Sequence, residues 1–164
     1  MLSQPDIFLK VEGAKAGVIN GECQDSKHKD EIDVLSWSWG MESKSDMFSG
    51  GPTGRARIKE LHVVKGVDKA STALMGALNN NELIKQAVLT VRKAGKHPLE
   101  YLKITIQKGR LIAYDVAPDP SDPAKLREEI VFSYQAISID YTPQGPDGQA
   151  RGGTNFATDW TPAS

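Results

Sequence analysis

The segment His28–Gly40 reads H-K-D-E-I-D-V-L-S-W-S-W-G and contains two of the chain's three tryptophans. Successive side chains of a β-strand point to opposite faces of a sheet. In a strand over this segment, the apolar face holds Leu35, Trp37 and Trp39. The opposite face holds Ser36 and Ser38, which are small, uncharged and polar. The segment therefore predicts a strand with one heavy apolar face and one light polar face.

The tryptophan pair allows two interpretations. Exposed on a strand, Trp37 and Trp39 are a stacking platform for sugar rings, as in a carbohydrate-binding β-sandwich module. Buried, they belong to the core, and each removes about 150–250 Å² from water. The neighbouring Ile32, Val34 and Leu35 favour burial. We therefore expect core tryptophans and keep the carbohydrate-binding module as the alternative function.

Composition limits the class of protein. The chain has 164 residues, 39% hydrophobic and 25% charged, with a formal net charge of −1. These values predict one domain over residues 1–164 and give no support for nucleic-acid binding. The single cysteine, Cys23, excludes an intrachain disulfide and fits a reducing cytoplasm; a bystander thiol is favoured over a nucleophile. Met1–Gly13 lacks the features of a signal peptide, and no apolar run approaches the ~20 residues of a membrane span.

Alternating apolar residues predict a mainly β chain. The predicted strands are Asp6–Glu12, Glu31–Trp39, Arg55–Val64, Leu83–Lys93, Leu99–Gln107, Arg110–Ala117 and Ile130–Tyr141. The last one changes phase between Ala136 and Ile137, which indicates an artefact of the pattern, a bulge, or a strand buried on both faces. Ala94–Pro98 reads as a hairpin turn and Pro118–Ala124 as a loop, because both contain prolines.

One short helix interrupts the strands. Asp68 or Ser71 can cap its first turn, and Ala70, Leu74, Ala77 and Leu78 then share one face. The run Asn79–Asn81 can adopt left-handed geometry and end it. Many strands with one helix predict a β-barrel or a two-sheet sandwich with the helix packed on it.

The segment Gly40–Gly54 has four glycines and no usable periodicity, so we expect a long loop. Irregular loops longer than about 12–15 residues are uncommon in compact domains and are usually functional or disordered. Met41, Met47 and Phe48 give this loop apolar groups to bury. A solvated loop and an arm that docks on another subunit are the two interpretations.

Catalytic patterns are weak throughout the chain. His28 could bind a metal with Glu31 and Asp33, but a loop histidine among solvated charges is the favoured interpretation, since no zinc-ligand spacing occurs. The adjacent carboxylates Glu128 and Glu129 point to opposite faces of a strand and do not form a glycosidase pair. No nucleophile and base are paired, so a hydrolase ranks last and we expect no enzymatic activity, cofactor or metal.

Several of these segments together resemble the Hcp family (haemolysin-coregulated protein) of the bacterial type VI secretion system. The resemblance rests on H-x-x-E-I-D-V-L-S-W-S-W-G and on further motifs in order along the chain: D-I-F-L-K at Asp6–Lys10, V-R-K-A-G at Val91–Gly95, E-Y-L-K-I-T at Glu100–Thr105 and D-Y-x-P-Q at Asp140–Gln144. It also includes the Gly-rich tail that ends near Trp160.

The resemblance implies a fold and an assembly. The fold is a β-barrel of two antiparallel sheets with one short α-helix, forming a single domain with a flexible Gly/Pro-rich tail over residues 145–164. The assembly is a homo-hexameric ring that stacks into the inner tube of the secretion machine. The implied partners are stacked rings, the VgrG spike, sheath proteins and effector proteins in the lumen. The implied localisation is cytoplasmic before assembly and extracellular afterwards, without a signal peptide or membrane insertion.

The resemblance also assigns interface roles. The extended loop is expected to contact adjacent subunits or rings through five residues: Met41, Met47, Phe48, Gly50 and Gly51. Ser36 and Ser38 are expected to face the lumen, where small neutral side chains let cargo pass or bind weakly.

Overall fold

The computed structural model describes residues 6–43, 45–46, 51–52, 56–93 and 98–159. Within them, fourteen strands and one helix follow in the order β1 (Asp6–Gly13), β2 (Gly17–Ile19), β3 (Ile32–Asp33), β4 (Ser36–Ser38), β5 (Met41–Glu42), β6 (Ser45–Asp46), β7 (Gly51–Pro52), β8 (Arg57–Ile58), β9 (Leu61–Gly66), α1 (Ala70–Asn79), β10 (Ile84–Lys93), β11 (Leu99–Asp119), β12 (Asp122–Ser133), β13 (Ala136–Tyr141) and β14 (Thr154–Asp159). The predicted turn at 94–98 lies largely outside the described residues.

The main strands form two antiparallel sheets. The first sheet runs in the order β2–β1–β10–β11–β13–β14, and β3 also pairs with β1. The second sheet runs in the order β11–β12–β9–β4. Among the described strands, no ladder joins β4 back to β2 or β14, so the two layers stay open at their edges. The prediction of a mainly β chain with antiparallel sheets and one short helix is confirmed; a closed ring of hydrogen bonds is not present in these residues.

Strand β11 belongs to both sheets. Its first half pairs with β10 and β13, and its second half pairs with β12. The change falls at Lys108, whose φ is +53°, and at Gly109. A β-carbon at Gly109 would lie 2.6 Å from the carbonyl oxygen of Ser133, so only glycine allows this close approach. The break predicted at Gly109 is thus a corner between two sheets.

The phase slip in the last predicted strand has the same cause. The prediction of one strand over residues 130–141 is wrong. This segment contains the end of β12, in the second sheet, and β13, in the first. Between them the chain turns at Gln135, whose N–H lies 3.2 Å from the carbonyl oxygens of both Gln107 and Lys108. Each strand keeps its own alternation, and the phase changes because the chain changes sheet.

The core fills the space between the two sheets. The first sheet contributes buried apolar residues of β1, β10 and β11, among them Leu9, Val11, Leu89, Ile104 and Ile106, and the second contributes Leu61, Val63, Ile130 and Phe132. All nine are at most 1% exposed. One continuous apolar layer therefore holds the two sheets together.

Helix α1 closes one side of this layer. Its buried residues are Ala70, Ser71, Leu74 and Ala77, and Leu78 is partly buried against the core. The Asp68 carboxylate accepts a hydrogen bond from the N–H of Ala70 (3.0 Å), as predicted for the first turn. After Asn79 the chain leaves the helix through Asn81, whose φ is +50°.

A buried polar cluster fixes the helix to the second sheet. Lys65 on β9 and Glu128 on β12 are both 0% exposed and form an ion pair. Ser71 on α1 donates to Glu128 Oε1 (2.7 Å), and Tyr114 on β11 donates to its other oxygen. Lys65 Nζ also lies 3.0 Å from Asp68 Oδ1. Three strands and the helix therefore meet at one satisfied charge pair, as buried charges require.

The predicted loop Pro118–Ala124 is shorter in the structure. Strands β11 and β12 continue to Asp119 and from Asp122, leaving residues 120–121 as the turn. Asp119 Oδ1 accepts hydrogen bonds from the Ser121 N–H (2.8 Å) and hydroxyl (2.7 Å), and these bonds lower the pKa of Asp119. Prolines fit here because β11 and β12 are paired with only each other at this end, so a missing N–H leaves no ladder incomplete.

Candidate assembly surfaces

The segment predicted as a structureless loop is a hairpin arm, defined here as residues 40–59. Strand β5 pairs with β8, and further out β6 pairs with β7, each through two residue pairs. Glu42 lies across the first ladder from two cations, 3.2 Å from Arg57 Nη1 and 3.8 Å from Lys59 Nζ. The expectation of a loop without regular structure is therefore wrong for the described part of the arm.

The five residues predicted to form an interface lie along this arm. Met41, in β5, is 45% exposed, a large apolar side chain open to solvent. Gly51, in β7, pairs with Asp46. Met47, Phe48 and Gly50 lie outside the described residues. The structure thus places Met41 and Gly51 on opposite strands of one projecting hairpin.

The root of the arm is held by two side chains and by backbone groups. The N–H of Lys59 donates to the carbonyl oxygen of Gly40 (3.0 Å) and closes the hairpin. The indole N–H of Trp39 donates to the Tyr134 hydroxyl, which in turn donates to the carbonyl oxygen of Lys59, both at 2.5 Å. Tyr134 lies between β12 and β13, so it joins the arm to the corner between the sheets.

The strand predicted over Glu31–Trp39 is two strands. β3 pairs with β1 in the first sheet and β4 pairs with β9 in the second, so the chain changes sheet at Val34 and Leu35. For this reason Leu35 is 55% exposed instead of sharing the core face with Trp37 and Trp39, and that part of the prediction is wrong. The two tryptophans do pack, partly buried, against the core.

Ser36 and Ser38 are both exposed, on the outer face of the second sheet. The neighbouring strand places Val64 and His62 opposite them. His62 Nδ1 lies 3.3 Å from Glu129 Oε1 on the next strand, so charged groups share this face with the serines. The light polar face is present, but it occupies only the edge of its sheet.

A second candidate surface was missed by sequence reasoning. A groove of about 420 Å³ lies along β11, β13 and β14 on the first sheet, and its lining includes the small or neutral residues Thr105, Gln107, Ala136, Ser138 and Ala157. Residues of three strands supply this lining, so no single segment of the sequence shows it as the Ser-Trp-Ser pattern shows β4.

An apolar surface on the β11–β12 hairpin was also missed. Val116 and Leu126 are 47% and 51% exposed. They lie on neighbouring strands at adjacent positions of one face, because Val116 pairs with Glu128 and Leu126 with Pro118. Glu128 lies on the same face and is buried. Beyond Glu128, toward the end of the hairpin, this face is open to solvent. Prolines and charges around Val116 and Leu126 conceal the pattern in the sequence.

The connector, residues 20–31, is fastened across the outer face of the first sheet. His28 stacks on Phe8 with ring centroids 4.1 Å apart. Its Nδ1 lies 3.0 Å from Glu31 Oε1 and its Nε2 lies 2.5 Å from Glu100 Oε1. His28 is only 8% exposed, so the expectation of a histidine among solvated charges is wrong. Among the described residues, no group of three or more His, Cys, Asp and Glu side chains is arranged to hold a metal.

Two further contacts complete the connector. The Arg92 guanidinium lies over the ring of Phe8 and binds Asp25 and Asp6, at 2.7 and 2.9 Å. Within the connector, burial is the main cause that raises the pKa of Cys23 to about 11, and its side chain is 1% exposed. A buried thiol with a raised pKa is a poor nucleophile, which favours the bystander interpretation.

No described helix is both long and apolar enough to cross a membrane.

Comparison with known proteins identifies the family. A family model described as "Type VI secretion system effector, Hcp" matches residues 8–141. Protein hcp1 of Pseudomonas aeruginosa is 34% identical over 151 residues, 90% of each chain. A solved type six secretion system protein superposes with a TM-score of 0.84 at 25% identity, covering 95% of this chain and 96% of that one. Hcp1 from Salmonella typhimurium superposes with a TM-score of 0.76 at 30% identity, covering 96% and 95%. The chain belongs to the Hcp family of type VI secretion system proteins.

Proposed function

We propose that this protein is the tube-forming component of a type VI secretion machine. In this function it is a single domain that assembles into homo-hexameric rings, and the rings stack into an inner tube. The observation that carries the proposal is the match to an Hcp relative over 90% of both chains, together with a family match over residues 8–141 that includes the arm. The partners of such a tube are the VgrG spike, the surrounding sheath and effector proteins.

The arm is proposed to make the contact between rings. A two-stranded hairpin is marginally stable by itself in water, so a projecting one gains from docking on a partner. Met41 already presents an exposed apolar side chain at the root of the arm, and Met47 and Phe48 follow along it. In this proposal Met47 and Phe48 bury on a neighbouring subunit.

Deleting Ser43–Gly51 tests this role. We expect the deletion variant to keep its sheets and its ring but to lose stacked tubes, because the described residues of the arm are hydrogen-bonded to the large sheets only at its root. Circular dichroism checks the fold, native mass spectrometry checks the ring, and negative-stain imaging with sedimentation measures the tubes. A Met47→Ser/Phe48→Ser variant keeps the arm's length and separates its apolar groups from its backbone. Normal tubes from both variants would contradict the proposal.

The lumen is proposed to hold effectors in transit, with Ser36 and Ser38 facing it. Small neutral side chains bind a passing protein weakly, which suits cargo that must leave again. Substituting Ser38→Gln should lower effector retention without unfolding the protein, measured by co-purification of an effector with the rings. Ser138→Gln on the groove of the first sheet is the matched variant. If only Ser138→Gln lowers retention, the Ser38 assignment is wrong and the groove lines the lumen.

The carbohydrate-binding alternative finds no support in the geometry. Trp37 and Trp39 pack against the core, and the Trp39 indole N–H is bound to Tyr134. A stacking platform needs an open ring face, so a tryptophan fluorescence titration with sugars should show no change.

A further inference from the structure

The arm has ladders of its own but depends on its root for its direction. β5 pairs with β8 and β6 with β7, and these two ladders are separate from the large sheets among the described strands. Each ladder has only two residue pairs. Such short ladders hold the two halves of the arm together. They do not fix the angle at which the arm leaves the protein.

One side chain from outside the arm reaches both of its ends. The Tyr134 hydroxyl accepts from the Trp39 indole, directly before the arm, and donates to the carbonyl oxygen of Lys59, its last residue. Tyr134 follows β12 directly, and the next residue, Gln135, is bonded to β11 at the corner of the two sheets. The hydroxyl therefore connects the arm's two ends to the backbone at the corner between the two sheets.

The hydroxyl can keep both bonds. Tyr134 is 7% exposed, and burial is the main cause that raises the pKa of its phenol above the ordinary value. A protonated phenol has one O–H to donate and lone pairs to accept, which matches one bond to a carbonyl and one from an indole. Both bonds lie in a partly buried place, where losing one partner leaves the other without its hydrogen bond.

We propose that Tyr134 is a positioning residue that sets the direction of the arm for docking between rings. This inference rests on the proposed docking function of the arm. An arm that is held in one direction before docking loses less conformational freedom when it binds. The affinity between rings therefore rises although no new contact is made. Tyr134 acts through its hydrogen bonds to Trp39 and Lys59.

The test compares Tyr134→Phe with Tyr141→Phe in the full chain. Tyr141 is an exposed tyrosine of β13, so its variant controls for the loss of one hydroxyl. Hydrogen exchange should show the Lys59 amide opening about tenfold faster in Tyr134→Phe, the factor expected for one lost hydrogen bond. Amides of β10 should exchange as in the unchanged protein, the ring should persist by native mass spectrometry, and pelletable tubes should fall by about the same factor.

Trp39→Phe is the second variant, because it removes the indole donor and leaves Tyr134 in place. It should reproduce the faster exchange at Lys59, and it keeps the test valid if Tyr134→Phe does not fold. Unchanged exchange at Lys59 in both variants overturns the positioning role, as does an equal acceleration in β10, which indicates general loosening. Faster exchange with unchanged tubes also overturns the positioning role, because a loosened root then does not affect stacking; docking by the arm itself is tested separately by the Ser43–Gly51 deletion.

Discussion

Lys65 and Glu128 form the contact on which a single substitution should have the largest effect. Both side chains are fully buried, and their charged groups have further partners in Ser71, Tyr114 and Asp68. Removing one member of a buried pair leaves the other charge unpaired, which costs about 3–5 kcal/mol, whereas an apolar pair of similar volume is often tolerated. We therefore expect the pair to fix the position of α1 on the second sheet. Its net contribution to the free energy of unfolding should be small compared with that of an apolar pair.

Lys65→Met should lower the free energy of unfolding by about 3–5 kcal/mol. The double variant Lys65→Met/Glu128→Leu should recover most of that loss, because no unpaired charge remains. Urea unfolding followed by tryptophan fluorescence measures both. Arg151→Met is the matched control, since it breaks the exposed pair with Asp147, and the change should stay below ~1 kcal/mol. A Lys65→Met variant as stable as the control would contradict the prediction.

Sequence reasoning reached some of these residues and missed others for definite reasons. The alternation around Trp37 places the serines and tryptophans on opposite faces, since that signal lies within four consecutive residues. Leu35 was misplaced because a change of sheet inverts the alternation. Lys65 and Glu128 are 63 positions apart, and the sequence around either residue does not indicate its partner.

Among the elements, the connector shows how a segment without regular structure is held in place. Arg92 anchors the connector by binding Asp25, and this contact raises the pKa of Arg92. The hydrogen bond from Arg92 is the main cause that lowers the pKa of Asp25 from 3.8 to about 2. A carboxyl with a lower pKa in the folded protein stabilises it above the unfolded pKa, and this stability is lost as pH falls through the folded value.

Stability should therefore fall between about pH 4 and pH 2, partly because Asp25 takes up a proton. Asp25→Asn cannot titrate, so its urea midpoint should fall less steeply over this range than that of the unchanged protein. The comparison is a series of urea titrations at closely spaced pH values. Asp147→Asn, in the exposed pair with Arg151, should keep the slope of the unchanged protein. If Asp25→Asn also keeps it, the Arg92 contact does not link folding to pH.

Element boundaries could be predicted only where one strand stays in one sheet. β1 and β10 were found at nearly their full length, because one buried face runs along each. β12 and β13 were merged, because Gln135 turns the chain without a glycine or proline. The sequence predicts an irregular loop for the arm, because two residue pairs per ladder leave no periodicity. It predicts no strand within the tail 145–164, where β14 lies, because the residues of β14 are almost all exposed and show no alternation.

At the scale of the whole molecule, one apolar layer and one shared strand make the two sheets a single unit. We expect the isolated chain to unfold in one cooperative step, with coincident midpoints by tryptophan fluorescence and by far-UV circular dichroism. The midpoint should rise with protein concentration, because a ring binds the folded subunit and not the unfolded one. Two separate transitions would contradict the single domain, and a midpoint independent of concentration would contradict the ring.

Strand β11 has a mechanical consequence. Its 21 residues cross from one layer to the other without a loop, so a force that pulls the layers apart acts along covalent peptide bonds as well as across hydrogen-bonded ladders. Under load, the hydrogen bonds of a ladder can break one after another. A continuous backbone separates from the sheets only when the whole strand is pulled away from its neighbours. We therefore expect a protein built this way to resist separation of its two sheets under load.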